Sequence, residues 1–198
     1  HVDLNAIDVE YTDLVWSDEF DTPGKTAINS INWFHQTQLP AAGSWFNGEE
    51  QHYTNRIENS FVEDDNLNIV AIKESFTDQG VTKQYTSARL NSKFAFTYGR
   101  VDVRAKLPAG SGTWPAIWTL GRNVSESGAY WQTQGFGNTS WPSCGEIDIM
   151  EHGLGTVNHT SSALHTPSSS GSTINTASQV ISDVTNNYHI YSVNWSPN

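Results

Sequence analysis

The stretch Cys144–His152 reads CGEIDIMEH and sets three carboxylates among apolar residues. Successive side chains of an extended strand point to opposite faces, so Glu146 and Asp148 share one face of this strand. Strict alternation would place Met150 beside them and leave Glu151 on the other face. One extra residue before Glu151, a β-bulge, would return that glutamate to the carboxylate face, and bulges are frequent beside active sites. The sequence therefore predicts a bulged strand that presents three acids on one surface.

A set of acids like this is suited to glycoside hydrolysis. Glu146 and Glu151 lie on the order of 13 Å apart along the backbone, and side chains that lean together can approach the roughly 5–5.5 Å of a retaining glycosidase. Repulsion should keep at least one carboxyl protonated near neutral pH, as a general acid requires. Asp148 lies between them, where it can hydrogen-bond to a neighbour. The pattern is weak alone, because a half-buried strand whose acids face solvent or bind Ca²⁺ would also show it.

The composition favours one β-rich domain, residues 1–198, with an aromatic surface. Only 16% of the residues are charged, against 8 Trp, 7 Tyr and 8 Phe, and rings pack well against both strands and sugars. The formal net charge is −11 without a cluster of Lys or Arg, which makes nucleic acid and anionic membranes poor partners. A heavily sulfated polysaccharide would need cationic clamps, so a neutral glycan is the expected partner.

The cysteine content and the start of the chain bear on its compartment. One cysteine, Cys144, excludes an intrachain disulfide and is expected to be a small apolar packing residue. The chain begins with His1 and contains no stretch typical of a signal peptide or a membrane span. We therefore expect a processed protein that is secreted, or located at the cell surface or in the periplasm.

Alternating apolar residues predict strands and no helix. Period-two patterns run through Leu67–Ala71, Leu90–Phe96 and Val101–Leu107, with short turns that contain glycine between them. Further strands are predicted at Asp13–Phe20, Trp114–Trp118, Ser162–Thr166 and His189–Trp195. The expected fold is all-β, an antiparallel β-sandwich of the jelly-roll type. The long segment Gly121–Ser143 is expected to form a functional loop that walls one end of a groove.

Aromatic and planar polar residues in one loop are candidate contacts with a sugar, which needs a flat face for stacking and hydrogen-bonding groups beside it. Trp45, Asn47 and Tyr53 lie in this loop, although its Asn-Gly pair also suits a purely structural turn. Arg89 either reaches into a groove or pairs with a surface acid. In the early acidic turn, Glu19 or Asp18 is either a ligand of a structural calcium ion or a solvated acid.

Three tryptophans lie near the carboxylate strand in the sequence or in its expected neighbour. Trp114 and Trp118 are four residues apart on one predicted strand, and Trp141 lies five residues before Glu146. They are either core residues or a stacking platform for sugar rings. His152 and His165 are polar candidates near the acids, although a lone histidine is more often structural.

Together these segments resemble glycoside hydrolase family 16, and within it the bacterial laminarinases, which are endo-β-1,3-glucanases. The matching motifs span nearly the whole chain in order. They are WSDEF from Trp16, NGEEQHY from Asn47, YTSARL with Arg89, YGRVDVRAKLP from Tyr98, WPAIW from Trp114 and WPSCGEIDIMEH from Trp141.

The resemblance implies a jelly roll with a concave substrate groove, no cofactor for catalysis and a possible structural Ca²⁺. It assigns Glu146 as the nucleophile, Asp148 as its assisting carboxylate and Glu151 as the general acid/base. It also assigns contacts with the sugar on both sides of the scissile bond. On the non-reducing side, Trp114 and Trp118 would stack on glucosyl rings, and Asn47 and Arg89 would form hydrogen bonds with them. Trp141 and His165 would contact the sugar at the scissile bond and on the leaving-group side.

One departure from the family concerns the end of the chain. Family members usually carry several strands after the segment that corresponds to Tyr188–Trp195, and these complete both sheets and supply an aspartate to the calcium site. The chain stops at Asn198. We therefore expect a fragment, a complementary C-terminal chain or segment that completes the sandwich, or a rearranged fold.

The expected function is retaining hydrolysis of laminarin-type β-1,3-glucan. The alternative within the family is a mixed-linkage β-1,3-1,4-glucanase, or an agarase, carrageenase or porphyranase. A second alternative is a non-catalytic carbohydrate-binding β-sandwich, which would use the same aromatic groove without needing matched carboxylates. Cleavage lost with Glu146 would separate the enzyme from the binding module, and a panel of glycans would separate the substrates.

Overall fold

The computed structural model describes residues 10–155 and 157–197, which form short, mostly antiparallel strands. In chain order the strands are β1 (Trp33–His35), β2 (His52–Tyr53), β3 (Ser60–Glu63), β4 (Asn66–Ile69), β5 (Ile72–Asp78), β6 (Val81–Ser87), β7 (Leu90–Ser92), β8 (Gly99–Ala105), β9 (Ala116–Leu120), β10 (Glu146–His152), β11 (His159–His165), β12 (Thr176–Val180) and β13 (His189–Trp195). A single-turn helix, α1 (Tyr130–Thr133), and a 3₁₀ turn, Phe46–Gly48, complete the regular elements. In the part of the chain described, no helix is long and apolar enough to cross a lipid bilayer.

The described residues form two compact units, each assembled from separate segments of the chain. The first unit takes the residues up to Val15, Phe96–Gly121 and the residues from Pro142 onward. The second unit takes Trp16–Ala95 and Arg122–Trp141.

The first unit contains the carboxylate strand at an interior position of its larger sheet. That sheet has the order β12-β11-β10-β9, and β13 pairs separately with β8. A core cluster packs beneath it, made of Leu107, Ile149, Met150, Val184 and Tyr191. Because β10 is hydrogen-bonded on both sides and its apolar residues enter this core, its backbone is firmly held.

The second unit is built from three small sheets. They have the orders β1-β7, β2-β6-β5 and β3-β4, and the β2–β6 pair is parallel. A polar network crosses the interior of this unit: Asn59 donates to Thr86, and Thr86 donates to Glu74. Arg56 is ion-paired with the same Glu74. These contacts satisfy polar groups that would otherwise be costly to bury.

Most predicted strands are confirmed. Strand β13 has the predicted bounds His189–Trp195, and β8, β10 and β11 overlap their predicted segments closely. Strand β9 begins two residues later than predicted, at Ala116, so Trp114 precedes the strand. Arg89 lies in the two-residue connection between β6 and β7. The long segment before β10 is interrupted by the one turn of α1.

The early strand predicted at Asp13–Phe20 is wrong, since these residues, all of them described, contain no strand. Side chains hold this segment instead of a backbone ladder. Trp16 stacks on Phe94 with ring centroids 5.6 Å apart. Asp18 accepts hydrogen bonds from Asn32 and from the indole of Trp33 at 3.0 and 2.8 Å. Phe20 ends the extended run because its φ is 56°, a left-handed conformation.

Candidate active site

The predicted bulge in β10 is confirmed by its register against both neighbours. Against β9, Asp148 lies opposite Trp118 and Met150 opposite Ile117, so Ile149 is the extra residue. Against β11, the register also shifts between Asp148 and Glu151. A serine of β11, Ser162, donates its hydroxyl hydrogen to the carbonyl of Ile149 at 2.9 Å. The backbone groups left unpaired by the bulge are thereby partly satisfied.

The bulge changes which side chains enter the core. Ile149 and Met150, although consecutive, both belong to the core cluster and are 7% and 2% exposed. A regular strand would have sent one of them to the opposite face. The extra residue therefore leaves Glu151 on the face of Glu146 and Asp148 without loss of an apolar core contact.

The pKa of Asp148 is strongly raised by its surroundings. Burial, followed by the nearby charges of Glu146 and Glu151, raises the pKa of Asp148 to about 7. His165 opposes that shift, and its Nε2 lies 3.1 Å from Asp148 Oδ2 and 3.7 Å from Glu146 Oε1. A carboxyl with this pKa is largely protonated below neutral pH, so it can donate a hydrogen bond.

The raised pKa of Asp148 predicts a specific pH dependence of stability. Folded Asp148 holds its proton up to about pH 7, whereas an unfolded aspartate ionises near pH 3.9. Between these values the folded state binds more protons. The free energy of unfolding should therefore fall as the pH rises through this window, by on the order of a few kcal/mol. Asp148→Asn should remove this contribution, which urea unfolding at pH 5 and pH 7 measures.

Asp102→Asn is a matched control for that experiment. The pKa of Asp102 is lowered, chiefly by a hydrogen bond from Ser192, and its charged partner, Arg100, does not titrate in this range. Both its folded and its unfolded states are therefore ionised between pH 5 and 7, and its replacement should leave the fall in stability unchanged. An Asp148→Asn variant that loses as much stability over this range as the wild type would contradict the assignment.

Glu151 has an indole as its partner. Trp114 donates its Nε1 hydrogen to Glu151 Oε1 at 3.0 Å, and the tryptophan remains 37% exposed. Trp118 lies in register opposite Asp148 on β9. His152, the other histidine candidate, is buried, and its Nδ1 donates to the carbonyl of His159 at 2.8 Å. The strand thus presents three acids, one histidine and one indole on connected elements of the first unit.

The remaining predicted sugar contacts belong to the second unit. Asn47 lies in the 3₁₀ turn with a φ of 56°, and Trp141 is 45% exposed. Trp45 is only 3% exposed and packs edge-on against Tyr53 at 4.7 Å. Trp45 is therefore a core residue, which corrects its interpretation as a candidate for stacking. Tyr53 donates its hydroxyl hydrogen to a glutamate of the same loop.

Arg89 forms a buried ion pair with an acid. Pairing with an acid is one of the two roles that its sequence context allows, the other being a contact within a groove. Its guanidinium lies 2.8 Å from Glu126, with side chains only 11% and 15% exposed. The Gln36 side-chain carbonyl accepts a further hydrogen bond from Arg89 at 3.2 Å. Sequence reasoning missed Glu126 because nothing in the segment Gly121–Ser143 singles out this acid before the fold is known.

Known proteins share this fold, and their sequences align with most of this chain. A model described as glycosyl hydrolases family 16 matches residues 47–198, which is more than half of the chain. The chain belongs to glycosyl hydrolase family 16. It is 35% identical, over 92% of its length, to the Glucan endo-1,3-beta-glucosidase A1 of Niallia circulans, and 36% identical, over 93%, to the Beta-glucanase of Rhodothermus marinus. It spans 26% and 60% of the lengths of these two relatives.

A solved structure confirms the fold class. LamA_E269S from Z. galactanivorans, in complex with laminaritriose and laminaritetraose, aligns with a TM-score of 0.86 and 48% sequence identity. The alignment covers 94% of this chain and 75% of that chain. The resemblance and the all-β, jelly-roll fold predicted from the sequence are therefore confirmed.

The calcium site expected from the family 16 resemblance stays a prediction. Glu19 is exposed, and it is not part of any group of three acidic, histidine or cysteine side chains among the residues the structure describes. Calcium takes six to eight oxygen ligands, so an ion at Glu19 would need backbone carbonyls or water for most of them. Glu146, Asp148 and His165 do form such a group, with ligand atoms within 4.8 Å of one another. Direct contacts of His165 with the two acids account for this spacing.

Proposed function

We propose that this chain is a retaining endo-β-1,3-glucanase that hydrolyses laminarin-type β-glucan. The observation that carries the proposal is the bulged strand β10, which sets Glu146 and Glu151 on either side of Asp148, whose pKa is raised to about 7. Membership of family 16 supports a glycosidase, and the relative from Niallia circulans is named as a glucan endo-1,3-beta-glucosidase. Both chemical steps use carboxyl groups, so the reaction needs no cofactor.

In the first step, Glu146 is the nucleophile and Glu151 the general acid. The carboxylate of Glu146 attacks the anomeric carbon while the bond from that carbon to the glycosidic oxygen breaks. Glu151 transfers its proton to the departing oxygen, which leaves as a sugar hydroxyl. The product is a glycosyl ester on Glu146, as in other retaining glycosidases.

In the second step, Glu151 acts as a base. It takes a proton from water while the water oxygen attacks the anomeric carbon and the ester bond to Glu146 breaks. Two inversions give net retention of configuration, and both glutamates return to their starting protonation. Asp148, protonated below about pH 7, can donate a hydrogen bond to Glu146 and stabilise the carboxylate that is released.

Sugar contacts are proposed from the resemblance for groups in each of the two units. Trp114 and Trp118 on the first unit are proposed to contact glucosyl rings, as is the exposed Trp141 of the second unit. Asn47 and Arg89 are proposed as hydrogen-bonding groups. A polysaccharide substrate cannot enter a cell intact, so we propose that the enzyme acts outside the cytoplasm, in a secreted, surface or periplasmic location.

Mixed-linkage β-1,3-1,4-glucan is the second candidate substrate. The relative from Rhodothermus marinus is named Beta-glucanase, without restriction to one linkage. The test is release of reducing ends from laminarin, mixed-linkage glucan and agarose, with Glu146→Ser as the inactive control. We expect the highest kcat/KM on laminarin. Cleavage confined to agarose would refute the substrate assignment, and tight binding of laminarin by an uncleaving wild type would favour the carbohydrate-binding alternative.

A further inference from the structure

The contact between Trp114 and Glu151 makes the two oxygens of the acid unequal. An indole N–H is a donor only, so Glu151 Oε1, which receives it at 3.0 Å, acts as the acceptor. A carbonyl oxygen is a better acceptor than a hydroxyl oxygen, so this contact favours the form of the acid in which the proton is on Oε2. An indole that is packed as a stacking surface alone would leave the acid free to rotate and to exchange the roles of its two oxygens.

The backbone on either side of Trp114 is clamped to the end of β10. The amide of His152, directly after Glu151, donates to the carbonyl of Pro115 at 3.2 Å. Gly153 follows with a φ of 95°. A Cβ on Gly153 would lie 2.0 Å from the Thr113 carbonyl oxygen and 3.7 Å from the Trp114 Cα.

Two features of the backbone therefore require glycine at position 153. Its φ lies in a region that side chains disfavour, and the atom that a Cβ would meet belongs to backbone, which cannot move aside alone. The close approach that Gly153 permits brings the residues before β9 onto the end of β10. This places the Trp114 backbone close enough to β10 for its indole to hydrogen-bond to Glu151.

We propose that Trp114 is a positioning residue for the acid/base Glu151 and that Gly153 is the residue that allows it to take this position. The inference rests on the proposed function, because it assigns a task within that reaction. Trp114 orients the carboxyl so that the proton faces the departing oxygen in the first step and the lone pair faces water in the second. This role differs from stacking on a sugar ring, since it depends on the N–H and not on the face of the indole.

Trp114→Phe tests the proposal because it keeps an aromatic face and removes only the donor. We expect kcat/KM on laminarin to fall about tenfold to a hundredfold, a part of the roughly 10²–10⁴ that general acid–base catalysis contributes. On a dinitrophenyl β-laminaribioside, whose leaving group departs without a proton, kcat/KM should fall by a clearly smaller factor, which reports the altered sugar contact alone. In a Glu151→Ala background, Trp114→Phe should cause only this smaller loss on laminarin, since the interaction with the acid is already absent.

Three results would overturn the proposal, and they separate it from the proposed function. Equal losses on laminarin and on the activated substrate would show that Trp114 acts by stacking. A full additional loss in the Glu151→Ala background would show that it acts independently of the acid. A wild type that cleaves neither substrate would overturn the proposed function itself and this inference with it.

Gly153→Ala tests the clamp with a matched control. Gly171 also has a left-handed φ, of 65°, but a Cβ there would meet nothing within 4 Å. Gly171→Ala therefore carries the backbone strain without the collision, and we expect it to keep the wild-type ratio of the two kcat/KM values. Folded Gly153→Ala, assessed by circular dichroism, should show the same selective loss on laminarin as Trp114→Phe. Unaltered selectivity in folded Gly153→Ala would refute its part in the clamp.

Discussion

Glu146→Ser is expected to lower glucan cleavage about 10⁴–10⁶-fold, the order of the losses that follow removal of single residues of a catalytic triad. The serine side chain has no carboxylate to form the glycosyl ester, and its hydroxyl is too short and too weakly nucleophilic to take over the attack on the anomeric carbon. Release of reducing ends from laminarin, followed over hours, measures the residual rate. Added azide should restore part of the cleavage, because this small anion can occupy the space of the missing carboxylate. This rescue is followed by chromatography of the shortened chains, since a glycosyl azide has no reducing end. The product should be the α-glycosyl azide, formed by a single inversion.

The matched control for this variant is laminarin-oligosaccharide binding. Glu146 is replaced without change to the indoles proposed to contact the sugar, so the dissociation constant for laminaritetraose should stay within about threefold of the wild type. Activity above a tenth of the wild-type rate would show that another residue is the nucleophile. A β-glycosyl azide product would also contradict the assignment, since it requires an intact covalent intermediate.

Glu151→Ala is expected to produce a different kinetic pattern from the loss of the nucleophile. On laminarin the rate should fall about 10²–10⁴-fold, because the departing sugar oxygen receives no proton. On a dinitrophenyl β-laminaribioside the first step should proceed at nearly the wild-type rate, and the glycosyl ester should accumulate. A burst of dinitrophenolate followed by slow turnover measures this difference.

Azide separates the roles of the two glutamates. In Glu151→Ala it should attack the accumulated ester without help from a base and give the β-glycosyl azide, opposite in configuration to the product expected from Glu146→Ser. The two assignments are exchanged if the azide products are exchanged. Equal losses on laminarin and on the activated substrate would remove Glu151 from the role of general acid.

The bulge could be predicted from the sequence because side chains alternate strictly between the two faces of a regular strand. Two acids two residues apart share a face, and the third could join them only with one extra residue, so the sequence predicted an irregularity between Asp148 and Glu151. The register of β10 against both neighbours places it there. Strand β13 was equally accessible, because alternation in His189–Trp195 is uninterrupted.

Other features depend on contacts that no local pattern encodes. The segment Asp13–Phe20 has strand-like residues, yet stacking of Trp16 and hydrogen bonds to Asp18 hold it without a ladder. Arg89 finds Glu126 across 37 residues of sequence. The indole of Trp114 meets Glu151 across the same separation. Pairings of this kind are decided by tertiary packing, which overrides the local preference for a strand.

The bulge in β10 also has an evolutionary consequence. Strand β10 carries catalytic candidates on one face and core residues on the other. A single extra residue keeps each set of side chains on its own face. An in-frame deletion of one codon at Ile149 would put the two faces out of phase, whereas many substitutions would leave the phase intact. Selection should therefore purge length changes in this strand as strictly as changes to its acids. Variation in substrate preference would then accumulate through insertions elsewhere, in connections such as Gly121–Ser143.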